Sequence, residues 1–178
     1  GKQMEQIKKI LVGPLNSGKT YDICNSIISY LESKNATKVL VCSENKFPLF
    51  QMKQYISKRL PLGARNVKYL TYHELLNQLL NKSTIGKKTL KNLISILGSG
   101  YFNNEIKKVL SNYDFIVLDQ AEKLIDALGV IFEILPSGPS VIMAFDIAEE
   151  ETFEVSSSLT DALPGYDIYS FLPEDVDE

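Results

Sequence analysis

Three places in this chain carry residues whose types and spacing can do chemistry. The first, Gly13-Pro-Leu-Asn16-Ser17-Gly18-Lys19-Thr20, fits the pattern G-x-x-x-x-G-K-[ST], a loop whose backbone wraps a phosphate. Gly13 and Gly18 let the backbone turn its N–H groups inward, at the positive end of the helix that follows. The Lys19 ammonium suits the β- and γ-phosphates of a nucleotide, and the Thr20 hydroxyl suits Mg²⁺. ATP and Mg²⁺ are the cofactors this pattern leads one to expect. The second place is Phe115-Ile-Val-Leu-Asp119, an apolar run ending in a carboxylate that can hold Mg²⁺ through water. Capping of the next helix is the competing structural role for Asp119. Gln120 follows, where a base is wanted: an amide positions a water but cannot take its proton, so a general-base contribution of ~10²–10⁴-fold is at stake. Glu122 is the nearest carboxylate downstream, and it reaches a phosphate only if the turn after the strand presents it. The third place is Asp146, at the end of the apolar run Val141-Ile-Met-Ala-Phe145.

The elements that must position these residues are legible from periodicity. Ile7–Val12 reads as the strand feeding the loop, and a helix with Ile23, Ile27, Ile28 and Leu31 on one face leaves it from Tyr21. Lys38–Ser43 and Asn66–Thr71 read as strands. A helix with Leu49, Phe50, Met52, Ile56 and Leu60 lies between them, with Pro48 in its first turn and Pro61 and Gly63 ending it. His73–Leu80 reads as a helix with Leu75, Leu76, Leu79 and Leu80 on one face. Two short helical patterns, 89–97 and 103–111, flank the Gly98-Ser-Gly100 turn. After Asp119 one helix is expected, with Leu124, Ile125, Leu128 and Ile131 inward. The segment from about 147 is the least regular, although Tyr166–Phe171 offers one more strand. Strands and helices alternating at short loop lengths predict an α/β fold with a mostly parallel sheet covered on both faces.

With 178 residues, 44% hydrophobic and 23% charged, the composition is that of a globular domain with a real core. No apolar run approaches the ~18 residues of a transmembrane helix and no signal peptide heads the chain, so an intracellular, cytoplasmic setting without membrane partners is expected. Cys24 and Cys42 have no metal-ligand spacing and read as buried reduced thiols. Charge is unevenly placed. All 19 Lys and Arg precede residue 124, giving residues 1–145 a net +8, whereas 11 acidic residues and no basic one lie from Asp146 to Glu178. A basic body suits a polyanion and an acidic tail suits a partner, and a plainly solvated surface explains both equally well. Residues 81–112 add Lys82, Lys87, Lys88, Lys91, Lys107 and Lys108 against Glu105 alone.

These motifs together resemble the first RecA-like motor domain of superfamily 1 helicases of the UvrD/Rep type. Gly13–Thr20 matches that family's first motif. Val39-Leu-Val-Cys-Ser-Glu-Asn45-Lys46, with Gln51-Met-Lys-Gln-Tyr-Ile56, looks like its T-x-x-x-N-K-A-A stretch, and Thr71-Tyr72-His73-Glu-Leu-Leu76 like its T-F-H-x-L segment. Asp119-Gln-Ala-Glu122 lies where the family has D-E-x-Q, with Glu and Gln exchanged. Phe145-Asp146-Ile-Ala-Glu149 lies where it has G-D-x-x-Q. The resemblance covers residues 7–149 and implies a RecA-like three-layer sandwich, with strand 141–145 between the loop strand and the Asp119 strand. It implies an ATP-binding domain over 1–149, a small basic helical insertion at 77–112, and an acidic segment over 150–178. It assigns Asp146 to the nucleotide, and Asn45, Lys46, Thr71, Tyr72 and His73 to single-stranded DNA or RNA. Core packing for Tyr72, and a helix N-terminal role for His73, weigh equally against strand contact.

The family's Asn-Tyr-Arg-Ser segment and second motor domain have no counterpart in these residues, nor is its adenine-reading glutamine clear, Gln3 and Gln6 lying close to the loop. Two readings follow. One is an ATP-binding half-motor that needs a second RecA-like domain or protein subunit. The other is a non-hydrolysing nucleotide-binding module that acts through protein partners. A superfamily 2 RNA helicase is a weaker likeness, since the strand ending at Phe145-Asp146 lacks the Ser-Ala-Thr expected there.

Overall fold

The computed structural model describes residues 6–33, 37–80, 88–135 and 137–172. Gln3, Lys82, Lys87 and the tail from 173 to 178 lie outside the described residues. In chain order the elements are β1 (Lys8–Gly13), α1 (Lys19–Ser33), β2 (Val39–Ser43), α2 (Lys46–Arg59), β3 (Val67–Thr71), α3 (Tyr72–Leu80), α4 (Leu90–Gly98) and α5 (Asn103–Leu110). Then follow β4 (Phe115–Leu118), a 3₁₀ segment (Ala121–Ala127), α6 (Leu128–Ile134), β5 (Ser140–Asp146), α7 (Glu149–Ala162) and β6 (Asp167–Ser170). A shorter 3₁₀ turn, Gly63–Asn66, leads into β3.

The six strands form one sheet in the order β3-β2-β4-β5-β1-β6, every pair parallel. As expected, β5 separates β1 from β4, and the strand anticipated at 166–171 is β6, paired with β1 at the sheet edge. The near-continuous apolar runs of the inner strands follow from burial on both faces. Alternate residues serve opposite layers. Ile10, Val12, Leu40, Cys42, Ile116, Leu118, Val141, Met143 and Phe145 join the core under α3, α4, α5 and α6. Leu11, Val39, Val41, Phe115, Val117, Ile142 and Ala144 join the core under α1 and α2. The result is a three-layer α/β sandwich of the RecA-like kind. The basic pair α4 and α5 is part of this packing: Leu93, Ile94, Leu97, Ile106 and Leu110 are buried in the first core while Lys91, Lys107 and Lys108 face solvent.

Two expectations need correction. The helix anticipated after Asp119 begins as a 3₁₀ segment. Its buried residues Ala121, Leu124 and Ala127 recur every third position, which suits three residues per turn, and Ile125, expected inward, is exposed. The irregular stretch anticipated from 147 is a 14-residue helix, α7. Its inward residues include Thr152 and Ser156, while Phe153 faces solvent, so hydrophobic periodicity could not find it. Three glutamates, Glu149, Glu150 and Glu151, fill its first turn, where the helix dipole favours negative charge. Among the described residues no helix is long and apolar enough to cross a membrane.

Candidate functional site

The carboxyl ends of β1, β4 and β5 lie side by side, and each delivers one part of the site. β1 ends at Gly13, whose register partner on β5 is Asp146. β4 ends at Leu118, and Asp119 follows it, its N–H donating to the Cys42 carbonyl at 2.8 Å. Ligands of open α/β sheets collect outside such strand ends, where the chain order reverses. An open cleft of about 460 Å³ occupies this place, lined by Leu15, Asn16, Ser17, Gly18, Lys19, Thr20, Tyr21, Pro48, Gln51, Asp119, Gln120 and Asp146.

The loop turns at Gly18, as its sequence predicts, and at Asn16 rather than at Gly13, which ends β1 without a positive φ. Asn16 and Gly18 have φ of 61° and +104°, the left-handed backbone that turns successive peptides into an anion-binding concavity. α1 starts at Lys19, two residues earlier than periodicity suggested, so loop and helix are continuous. Gly13 is required for a different reason, the close approach of another strand. A Cβ there would collide with the Phe171 carbonyl oxygen and lie 2.9 Å from the Phe171 Cβ, because Phe171 donates its N–H to Val12 O at 2.7 Å. The strand that closes the sheet edge therefore runs directly against the loop.

Lys19 is buried, and its Nζ donates to the carbonyls of Gly13 (2.7 Å) and Pro14 (2.6 Å) and to Ser17 Oγ (3.3 Å). It also pairs with Asp146 Oδ1 at 3.2 Å. Thr20 is exposed on the cleft wall. Asp119 is only 5% exposed. Burial, reinforced by the Asp146 charge and opposed by the hydrogen bond from Ser43, pushes its carboxyl up to about 6.

Gln120 adopts left-handed φ and ψ of 50° and 43°. Its Oε1 accepts from Ser43 Oγ at 2.7 Å and from the Glu44 N–H at 3.1 Å. Ser43 is fully buried, and its Oγ also lies 3.2 Å from Asp119 Oδ2. Sequence reasoning missed Ser43, although its place at the end of the strand neighbouring β4 is a signal that topology supplies. Glu122, read as a candidate for reaching the phosphates, accepts instead from the Asp146 N–H at 2.8 Å and does not line the cleft. Burial pushes its carboxyl up, and that backbone hydrogen bond opposes the shift.

The residues the helicase likeness assigns to a nucleic-acid strand divide sharply. Asn45 and Lys46 are exposed at the start of α2, beside exposed Phe47 and Phe50. Thr71 is buried and forms a reciprocal cap with Glu74: Thr71 N–H donates to Glu74 Oε1 (3.0 Å) and Glu74 N–H to Thr71 Oγ1 (3.1 Å). Tyr72 is 1% exposed and donates its hydroxyl to the Asp119 carbonyl, so it has no free face on which a base can stack. The His73 ring nitrogen Nε2 lies 2.7 Å from the Lys88 carbonyl and ties α3 to the start of α4. Gln6 donates its amide to the carbonyls of Ser137, Gly138 and Pro139, anchoring that turn. Both cysteines are buried and free, and burial pushes the Cys24 thiol up to about 12. No family model matches the chain, and no curated protein matches it.

Proposed function

We propose that this chain is a nucleotide-binding module of the superfamily 1 helicase type, taking ATP with Mg²⁺ in the cleft at the ends of β1, β4 and β5. The observation that carries the reading is the convergence of Lys19, Thr20, Asp119 and Asp146 on one cleft beside a loop with two left-handed residues. Binding exchanges the Lys19 contacts with the Gly13 and Pro14 carbonyls for phosphate oxygens, while Asp146 keeps the ammonium oriented. The donor set fits the metal. Mg²⁺ is usually held by one or two carboxylates together with substrate phosphates, and the cleft offers the Asp119 carboxylate and the Thr20 hydroxyl. When bound, it neutralises charge on the phosphate oxygens.

Binding is the better supported half of the activity. A general base must present to the cleft an oxygen that can take a proton, and neither candidate does so, Glu122 lying outside the cleft lining. Gln120 is an amide whose oxygen accepts from Ser43 and Glu44, and the Glu122 carboxylate accepts from the Asp146 N–H. Hydrolysis in this reading awaits a second RecA-like domain or a protein subunit that completes the site. Contact with a nucleic-acid strand reduces to Asn45 and Lys46, with Phe47 and Phe50 as neighbouring stacking surfaces.

Calorimetry with a non-hydrolysable ATP analogue and Mg²⁺ tests this. Lys19→Ala should abolish the binding heat. Binding that survives the substitution unchanged would exclude the loop as the phosphate site.

A further inference from the structure

We propose that Gln120 reads the terminal phosphate of the bound nucleotide as a hydrogen-bond donor, and thereby makes the cleft prefer a nucleoside triphosphate to a diphosphate. The inference rests on the nucleotide-binding reading above. Its basis is which prong of the amide faces which way. A backbone N–H can only donate, so the atom 3.1 Å from Glu44 N is the amide oxygen on chemical grounds alone. The Ser43 hydroxyl, 2.7 Å from the same oxygen, completes its pair of donors. The other prong is therefore the NH₂ group. Among the described residues it makes no hydrogen bond, and Gln120 lines the cleft together with Lys19, Thr20, Asp119 and Asp146.

What residue 120 offers a ligand is thus a donor, and the group that suits it is an anionic oxygen. The strand order says which one. The loop and Lys19 embrace the phosphates from β1, while residue 120 follows β4, on the far side of β5. The phosphate that reaches across β5 is the terminal one. Backbone geometry agrees that this placement is held against a cost: a non-glycine residue at φ 50° is disfavoured and persists where its surroundings fix it. The tether to Ser43 and Glu44 does the fixing. Ser43 acts here as a positioning residue, since the same buried hydroxyl lies against both Gln120 Oε1 and Asp119 Oδ2.

The test is a comparison of dissociation constants for a non-hydrolysable ATP analogue with Mg²⁺ and for ADP with Mg²⁺. A hydrogen bond to a charged oxygen corresponds to about ten-fold or more in affinity. Gln120→Ala should weaken the triphosphate analogue by about that factor and leave ADP within about two-fold. Gln120→Glu keeps an acceptor for Ser43 and Glu44 but lacks the donor, so it should lose the same preference with the fold intact. Ser43→Ala should erode the ratio of the two affinities in the same direction. Equal weakening of both nucleotides, or a wild-type ratio in Gln120→Glu, would overturn the role given to Gln120. A wild-type protein that binds neither nucleotide, or a Lys19→Ala protein that binds both normally, would instead bring down the underlying reading and this inference with it.

Discussion

Asp119 should destabilise the folded protein at neutral pH, and Asp119→Asn should relieve it. The carboxyl is 5% exposed, and burial beside the Asp146 charge raises it from the usual 3.8 to about 6. A raised acid favours the folded state only while it is protonated. Its contribution is therefore fully present below about pH 4 and is lost as pH rises through about 6. At 1.36 kcal/mol per pH unit, the step from 3.8 to about 6 corresponds to about 3 kcal/mol, an upper bound for the gain from removing the charge above pH 7. Asparagine is nearly isosteric, so no cavity offsets the gain, while the NH₂ group it brings to this buried place needs an acceptor and draws the gain below that bound. For a chain of this size the bound translates to roughly 6–12 °C in Tm. The assay is thermal unfolding of both proteins between pH 4 and pH 8 without nucleotide. The difference in Tm should be small at pH 4, open between pH 4 and pH 6.5, and level off above. A pH-independent difference, or an asparagine variant less stable at pH 7.5, would refute the reasoning.

Other consequences follow from the same contacts. Gly13→Ala should lower stability by about 1–3 kcal/mol, the usual range for overpacking, and Phe171→Gly should not rescue it, because the collision is with the Phe171 carbonyl as well as its Cβ. Thermal melts of the single and double variants decide this. Tyr72→Phe should cost about 1–3 kcal/mol in chemical denaturation, since it leaves the buried Asp119 carbonyl without the hydroxyl that donates to it. Gln120→Glu should not by itself raise steady-state ATP turnover. The Ser43 and Glu44 donors leave its second oxygen facing the cleft, but hydrolysis in the proposed reading also awaits a second RecA-like domain or subunit. A marked rise would mean that this domain completes the hydrolytic site without a partner.

Much of this architecture could be read from residue types because one rule governed each part. Strands β2, β4 and β5 are buried on both faces, so each appears as a nearly unbroken apolar run, and the turn of the phosphate loop is a local backbone need that Gly18 advertises. What stayed hidden depends on long-range partners. Tyr72 looks the same in a sequence whether it stacks on a ligand or sits under Asp119, and only the fold brings its hydroxyl to that carbonyl. Ser43 gains its place because β2 pairs with β4 across a gap of 76 residues. Whether Glu122 reaches the phosphates depends on the turn after β4, and distance along the chain says nothing of the turn that gives its carboxylate to the Asp146 N–H. α7 was missed since hydroxyl residues, Thr152 and Ser156, take the inward positions that apolar residues normally mark.

The most direct test of nucleotide binding at this cleft is amide NMR of the labelled protein titrated with a non-hydrolysable ATP analogue and Mg²⁺. The largest shifts should fall on residues 13–20, on Asp119 and Gln120, and on Asp146, with saturation at one equivalent. Shifts confined to other surfaces, such as the groove between α4 and the 3₁₀ segment that Leu90, Ile94 and Lys123 line, would contradict it. So would a spectrum that does not change.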